Sequence, residues 1–186
     1  MNPLVRSFDI LVSLISIILF LPILLLIPVL IKLDDGGPVF FFQKRLGINK
    51  KTIIVWKFRT MKNGKITRVG KWLRATALDE FLQLLLIVRG QMSLVGPRPL
   101  TQDDVTRLGW DHPEYLSRWK VIPGVTGLVQ IYGGTSAIHS WELEKYYLRH
   151  QTFKLQLQII LLSGIVTIVG KKRTKSWLPF RPQLTT

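Results

Sequence analysis

An α+β, helix-rich fold carried on a membrane anchor is what this sequence predicts, and three observations predict it. Residues 10–31 run without a single charge. Two runs rich in β-branched and aromatic residues, 39–43 and 52–58, flank a turn-prone segment. Between Thr76 and Gly90 the apolar residues recur at helical spacing. A length of 186 residues suits one compact domain with an appendage. The chain combines a net charge of +15 with 47% hydrophobic residues, which excludes a disordered tail and points to an anionic partner surface. Lipid headgroups, nucleotide phosphates and nucleic acid are the three candidates. Nucleic acid accounts for the charge but not for the apolar run, and no recognition motif supports it, so no nucleic-acid partner is expected. The chain has no cysteine, so disulfides, a thiolate nucleophile and a cysteine metal site are all excluded.

The uncharged run has the length of roughly 20 residues that a helix needs to cross a bilayer core. It is too long for a cleaved leader, and Lys32-Leu33-Asp34-Asp35 offers no small-residue cleavage site, so the segment is expected to be retained. Pro22 sits in its middle and Pro28 follows, each removing a backbone donor. From the residues alone two readings stand: a kinked spanning helix, or a helix that bends at Leu21-Pro22 and returns to the side it entered.

Gly36-Gly37-Pro38 ends the anchor, and the two β-rich runs around Leu46-Gly47-Ile48-Asn49-Lys50-Lys51 read as a short hairpin. Between Asp35 and Asp79 stand eleven lysines and arginines and no acid. Most suit an interfacial face held against anionic inner-membrane lipids. Lys57, Arg59 and Arg74 are set apart as candidates for binding a phosphate.

Thr76, with Asp79 three residues on, forms a capping-box pattern, and Arg89-Gly90 a basic last turn with a glycine stop; together they predict a helix over 76–90. Leu78, Phe81, Leu82, Leu85 and Leu86 would bury one side. Asp79 and Glu80 then fall in the first turn, where free amides, the helix dipole and Arg74 would hold a carboxylate ionised at a lowered pKa. The pair reads either as a cap with a dipole-complementing neighbour, or as a nucleophile or divalent-cation ligand.

Five blocks, taken in order, resemble the bacterial sugar transferase family, the monotopic phosphoglycosyl transferases. They are Gln43-Lys44-Arg45-Leu46-Gly47; Lys57-Phe58-Arg59-Thr60-Met61; Leu73-Arg74 with Leu78-Asp79-Glu80; Met92-Ser93-Leu94-Val95-Gly96-Pro97-Arg98-Pro99; and Pro123-Gly124-Val125-Thr126-Gly127-Leu128-Val129-Gln130. The resemblance implies transfer of a sugar 1-phosphate from a UDP-sugar to polyprenyl (undecaprenyl) phosphate, with release of UMP, as a first membrane step of polysaccharide or glycoconjugate synthesis. It implies Asp79 as covalent nucleophile and metal ligand, Glu80 as its catalytic partner, and Mg²⁺ as cofactor. Lys57, Arg59, Arg74, Arg98, Thr126 and Gln130 are implied as substrate- or phosphate-binding residues. It implies a re-entrant helix hairpin broken at Leu21-Pro22, on the cytoplasmic face of the bacterial inner membrane. The expected layout is therefore a membrane anchor over 1–35, a small catalytic domain with interfacial amphipathic helices over 36–170, and a basic tail over 171–186. Downstream glycosyltransferases and a second copy of the chain are candidate partners.

The pattern is not complete. The serine usual before the helix-breaking proline is here Leu21, the proline usual after Asp-Glu-Leu is Leu82, and an asparagine common in the helix is Leu86. Gln91, Ile122 and Gln156 stand where an acid, an arginine and an acid are usual. These changes support a second reading, a weakly active or inactive relative that serves as a membrane scaffold for glycan-assembly proteins. In the C-terminal half, Trp110, Trp119, Trp141, Tyr146 and Tyr147 suit the core or a headgroup-level belt, and the apolar segment 153–169 suits an interfacial helix.

Overall fold

The computed structural model describes residues 2–134 and 136–170. The basic tail expected over 171–186 lies outside the described residues. Helix α1, Pro3–Asp35, opens with Asn2 accepting a hydrogen bond from the Leu4 amide at 2.9 Å and closes on Gly36 at φ 70°. Its helical path is unbroken through Leu21, Pro22 and Pro28. Most of its apolar residues face outward, as a membrane-embedded helix requires, yet Val5, Asp9, Ser13, Ile27 and Ile31 are buried against the rest of the molecule.

The hairpin forms as expected, its first strand extending further than the sequence suggests. β1, Phe40–Leu46, pairs antiparallel with β2, Thr52–Phe58, from Phe40 opposite Phe58 to Leu46 opposite Thr52. Strand alternation turns Ile53 and Val55 inward, where they pack on Leu86, Ile87 and Met92. A second small ribbon, β3 (Met61–Lys62) with β4 (Lys65–Ile66), leads into α2, Arg68–Thr76.

The helix expected over 76–90 is not one helix. Thr76 does not cap a helix starting at Ala77: its hydroxyl donates to the carbonyls of Trp72 and Leu73 at 3.0 and 3.1 Å and so closes α2. Ala77 then takes φ 57°, a left-handed conformation, and a 3₁₀ turn spans Leu78–Glu80 before α3, Gln83–Val88, begins. Burial explains the detour. The turn drives Leu78 into a cluster with Ile27, Ile31, Phe58 and Leu73, which a continuous helix would direct elsewhere.

Two short strands join distant blocks of sequence. β5, Ser93–Val95, pairs in parallel with β6, Gly124–Thr126. The Gly96 amide donates to the Thr126 carbonyl and the Gly124 amide to the Pro97 carbonyl, both at 2.9 Å. A Cβ on Gly96 would lie 2.7 Å from the Gly124 nitrogen, so only glycine allows the two backbones to approach this closely. Around this seam lie α4 (Gln102–Leu108), α5 (Leu128–Tyr132), α6 (Ala137–Arg149) and α7 (Phe153–Val169). Val95, Leu128, Ile131, Leu143, Tyr147 and Ile159 form one core cluster. Trp110, Trp119 and Trp141 form another with Leu100 and Val105, so these tryptophans are core residues and not a headgroup belt.

Candidate active site

Asp79 and Glu80 stand on the 3₁₀ turn, which packs beside β2. Lys57, near the end of β2, reaches across to form an ion pair with Glu80. Burial pushes the Glu80 carboxyl up, but the Lys57 charge and hydrogen bond, joined by Arg98 and Gln83, outweigh it and hold the group below its ordinary value. Asp79 behaves in the opposite way. Burial first, and the neighbouring Glu80 charge second, push it above its ordinary value, against the weaker pull of Lys57 and Arg74. The lowered Asp79 pKa expected from a helix over 76–90 is therefore not found: the residue stands on a 3₁₀ turn, where burial and Glu80 prevail.

Arg98 is exposed on its side chain and fixed on its backbone. Arg45 donates to the Pro99 carbonyl at 2.9 Å, and Arg118 donates to the Arg98 carbonyl at 2.9 Å. Arg118 is itself paired with Glu144 at 2.8 Å, their side chains only 2% and 4% exposed. An arginine whose own carbonyl and the next are both held presents its guanidinium from a fixed origin, a condition that suits the grip of its planar fork on a phosphate. Arg45, Arg118 and Glu144 were not among the residues expected from sequence to build the site. Arg118 and Glu144 are brought together only by tertiary packing, whereas Arg45 stands in the first block of the resemblance, which gives it no role of its own.

Two cavities meet here. A small polar one is lined by Arg45, Lys57, Glu80, Gln83, Arg98 and Gln130 among others. A larger groove of about 400 Å³ opens beside it, and Glu80, Arg98, Val125 and Gln130 line both. Both side-chain amide atoms of Gln130 are buried and lack a hydrogen-bond partner among the described residues, a costly arrangement for a group that a ligand could satisfy. Thr126 donates to the Ser163 hydroxyl at 2.9 Å at the groove wall. The structure thus gathers Lys57, Glu80, Arg98, Thr126 and Gln130 around connected space, with Asp79 half-buried beside Glu80.

Two expected phosphate ligands stand elsewhere. Arg74 is exposed at the end of α2, its Nε donating to the Thr60 hydroxyl at 2.9 Å, and it reaches Asp79 through its charge alone. Arg59 is tied to the anchor: it pairs with Asp35 and donates to the Pro38 and Met61 carbonyls. Among the described residues no group of three or more histidines and acids forms a cation cage. The carboxylates at this site that could hold a cation are those of the adjacent pair Asp79 and Glu80. That suits Mg²⁺, which commonly takes one or two carboxylates and completes its shell with water and substrate phosphates. Of the departures from the family pattern, Leu86 is absorbed into the core and Gln156 is buried, while Gln91 is exposed.

Cationic side chains and a paired acid stand where a small polar cavity meets a larger groove, beside a long apolar helix. The chain belongs to the bacterial sugar transferase family, which it matches over residues 2–170. It is 39% identical over 187 residues to a UDP-glucose:undecaprenyl-phosphate glucose-1-phosphate transferase of Klebsiella pneumoniae, covering 89% of this chain and 40% of that protein. It is 35% identical over 176 residues to a UDP-N-acetylgalactosamine-undecaprenyl-phosphate N-acetylgalactosaminephosphotransferase of Aeromonas hydrophila, covering 84% and 41%. With exopolysaccharide production protein ExoY of Sinorhizobium fredii it shares 33% identity over 186 residues, covering 83% and 81%. The chain therefore spans about two fifths of the length of the first two relatives and most of the third.

Proposed function

We propose that this chain is a phosphoglycosyl transferase that moves a sugar 1-phosphate from a UDP-sugar to a polyprenyl phosphate. The observation that carries the reading is the β5–β6 seam, which sets Arg98, Thr126 and Gln130 with Lys57 and Glu80 around connected cavities; Asp79 lines neither cavity but stands beside Glu80 on the same turn. The names of its relatives agree with it.

In this reading an Asp79 carboxylate oxygen attacks the phosphorus that bears the sugar. A phosphorus–oxygen bond forms to Asp79, the bond bridging the two phosphates breaks, and UMP departs with the electron pair. A polyprenyl phosphate oxygen then attacks the same phosphorus, expels the Asp79 carboxylate and yields polyprenyl diphosphosugar. Burial and the Glu80 charge make Asp79 a stronger base than an ordinary aspartate, which favours bond formation once the residue is ionised. Attack of one anion on another is repulsive, and Arg98 and Lys57 offset that repulsion at the phosphate oxygens. Asp79, with Glu80 beside it, would hold Mg²⁺, which supplies further charge neutralisation.

The single helix over Pro3–Asp35 does not show the break expected at Leu21-Pro22, and what supports the re-entrant reading is the contacts at its two ends. Near its start, Arg6 donates to the Ile87 and Val88 carbonyls at 2.7 and 3.0 Å; at its end, Asp34 accepts from the Val69 amide at 3.0 Å and Asp35 pairs with Arg59. Both ends of α1 thus hold the same globular body, which a helix crossing to the far side would not do. Labelling of cysteines placed at Asn2 and Gly36 from the cytoplasmic side alone is expected; opposite sides would reject this topology.

Purified protein with Mg²⁺, a panel of UDP-sugars and polyprenyl phosphate is expected to release UMP, and Asp79→Asn to release none. Silence of the wild type, or equal release by Asp79→Asn, would remove the assignment and favour the scaffold reading.

A further inference from the structure

The first turns of α1 hold a buried acid that the chemistry at Asp79 does not use. Asp9 is 1% exposed, on a helix whose apolar residues mostly face outward. Its carboxylate accepts from the Ser93 hydroxyl at 2.5 Å and from the Leu94 amide, and both donors belong to β5. Arg6, on the same helix, donates to the Ile87 and Val88 carbonyls at the end of α3. Residues three apart are neighbours on a helix surface, so one patch of α1 grips the chain on both sides of the link 89–92.

The link itself is drawn tight. The Gln91 and Met92 amides both donate to the Leu86 carbonyl, at 2.9 and 3.2 Å, and Gly90 turns at φ 79° beside the Arg6 guanidinium. Asp79 and Glu80 precede the link, on the turn that leads into α3; Arg98 follows it, just beyond the end of β5. Tyr147 of α6 holds the same strand, its hydroxyl donating to the Val95 carbonyl at 3.1 Å.

Contacts of two kinds join α1 to this body. Apolar ones, such as those of Ile27 and Ile31, are non-directional and tolerate sliding. A buried carboxylate does not tolerate it, because a shift that breaks its hydrogen bonds leaves a buried charge without those partners. Asp9 therefore gives α1 a single register against β5.

We infer that Asp9 is a positioning residue for the transfer: together with Arg6 it fixes the separation between the acid turn and the wall that carries Arg98. It touches no substrate and acts through Ser93 and β5. A misplacement of about 1 Å caused by a distant change can cost roughly 100-fold in rate, so a small slip of the helix is enough to matter. This inference rests on the phosphoglycosyl-transfer reading and makes the register of the membrane helix one of its determinants.

Asp9→Leu removes both acceptor oxygens at similar volume. In purified protein with Mg²⁺ and UDP-sugar but no polyprenyl phosphate, it is expected to slow the burst of UMP by about 10-fold or more. Asp9→Asn keeps an acceptor oxygen and should restore most of that rate. In an Arg98→Lys background the further loss from Asp9→Leu should shrink, since a positioning residue and the group it positions are not additive. An undiminished burst in folded Asp9→Leu, an Asp9→Asn burst as slow as that of Asp9→Leu, or an equal loss in both backgrounds would each overturn the positioning role. Where Asp9→Leu does not fold, Ser93→Ala takes its place: it deletes one of the two donors, a smaller loss is expected, and an undiminished burst again overturns the role.

Hydrogen exchange needs no turnover. Amides over 93–98 are expected to exchange faster in Asp9→Leu, or in Ser93→Ala, than in the wild type, and unchanged exchange would remove the grip of α1 on β5. A wild type without a burst would instead reject the transfer reading, and the exchange result would then decide the Asp9 contact alone.

Discussion

The wall that presents Arg98 and the turn that presents Asp79 and Glu80 face one another across the site, and they are held by opposite means. The wall is fixed many times over: a parallel strand pair, glycines that admit no side chain, Arg45 and Arg118 gripping successive carbonyls, and a buried Arg118–Glu144 pair behind them. The turn has a left-handed alanine, a 3₁₀ segment without a side-chain cap, and one carboxyl pushed up by burial beside another held down by Lys57. A rigid cationic side suits binding that is common to substrate, intermediate and product. A reactive anion gains from being less comfortable, and strain of this kind is concentrated at functional positions in folded proteins.

The largest expected effect comes from breaking the wall. Glu144→Gln leaves the Arg118 charge buried without a counter-charge, at a cost of about 3–5 kcal/mol of folding stability. Adding Arg118→Met to Glu144→Gln should recover most of that loss, as read by thermal unfolding in detergent; a single variant as stable as wild type would show that the pair does not anchor the wall. A smaller effect is expected at the turn. Ala77→Gly relieves the left-handed alanine and should stabilise the fold by roughly 0.5–1 kcal/mol, after the entropy lost by glycine is included. Destabilisation there would mean that the alanine methyl is held by packing that outweighs its backbone conformation.

The smallest and most discriminating effect is the pH dependence of the two acids. Asp79 has a folded pKa above its ordinary 3.8, so its penalty is complete above the raised value and disappears as pH falls below 3.8. Asp79→Asn should therefore be more stable than wild type at neutral pH, with the gain vanishing in acid. Glu80 has a folded pKa below its ordinary 4.5, so its contribution is complete above 4.5 and is lost as pH falls through the lower folded value. Glu80→Gln should be less stable at neutral pH, with the loss vanishing in acid. Unfolding curves that move in the same direction for both variants would remove the contrast between these neighbours.

Of the wall, the blocks were legible in the sequence but not their pairing: Gly96-Pro97-Arg98-Pro99 and Gly124-Val125-Thr126-Gly127 stand out as parts of the resemblance, and nothing local announces that they meet as β5 and β6, 31 positions apart at Ser93 and Gly124. The anchor and the hairpin were legible too, because an uncharged run and β-branched alternation report directly on burial. The break at Ala77 carried no signal, since a left-handed residue is usually announced by glycine or asparagine. Arg59 is expected with Lys57 because both stand in one block of the resemblance; β2 ends at Phe58, and the chain carries Arg59 to Asp35 instead. The Arg118–Glu144 pair spans 26 positions and depends on the packing of α6, which local pattern cannot report.

Arg6 has a consequence beyond topology. It caps the last turn of α3 through the Ile87 and Val88 carbonyls, and α3 comes directly after the segment that carries Asp79 and Glu80. The depth at which lipid seats α1 is thereby connected to the far end of the helix behind the acids. Bilayer thickness is expected to act as a tuning variable: turnover should change across bilayers of graded acyl-chain length in the wild type, and Arg6→Gln should flatten that response.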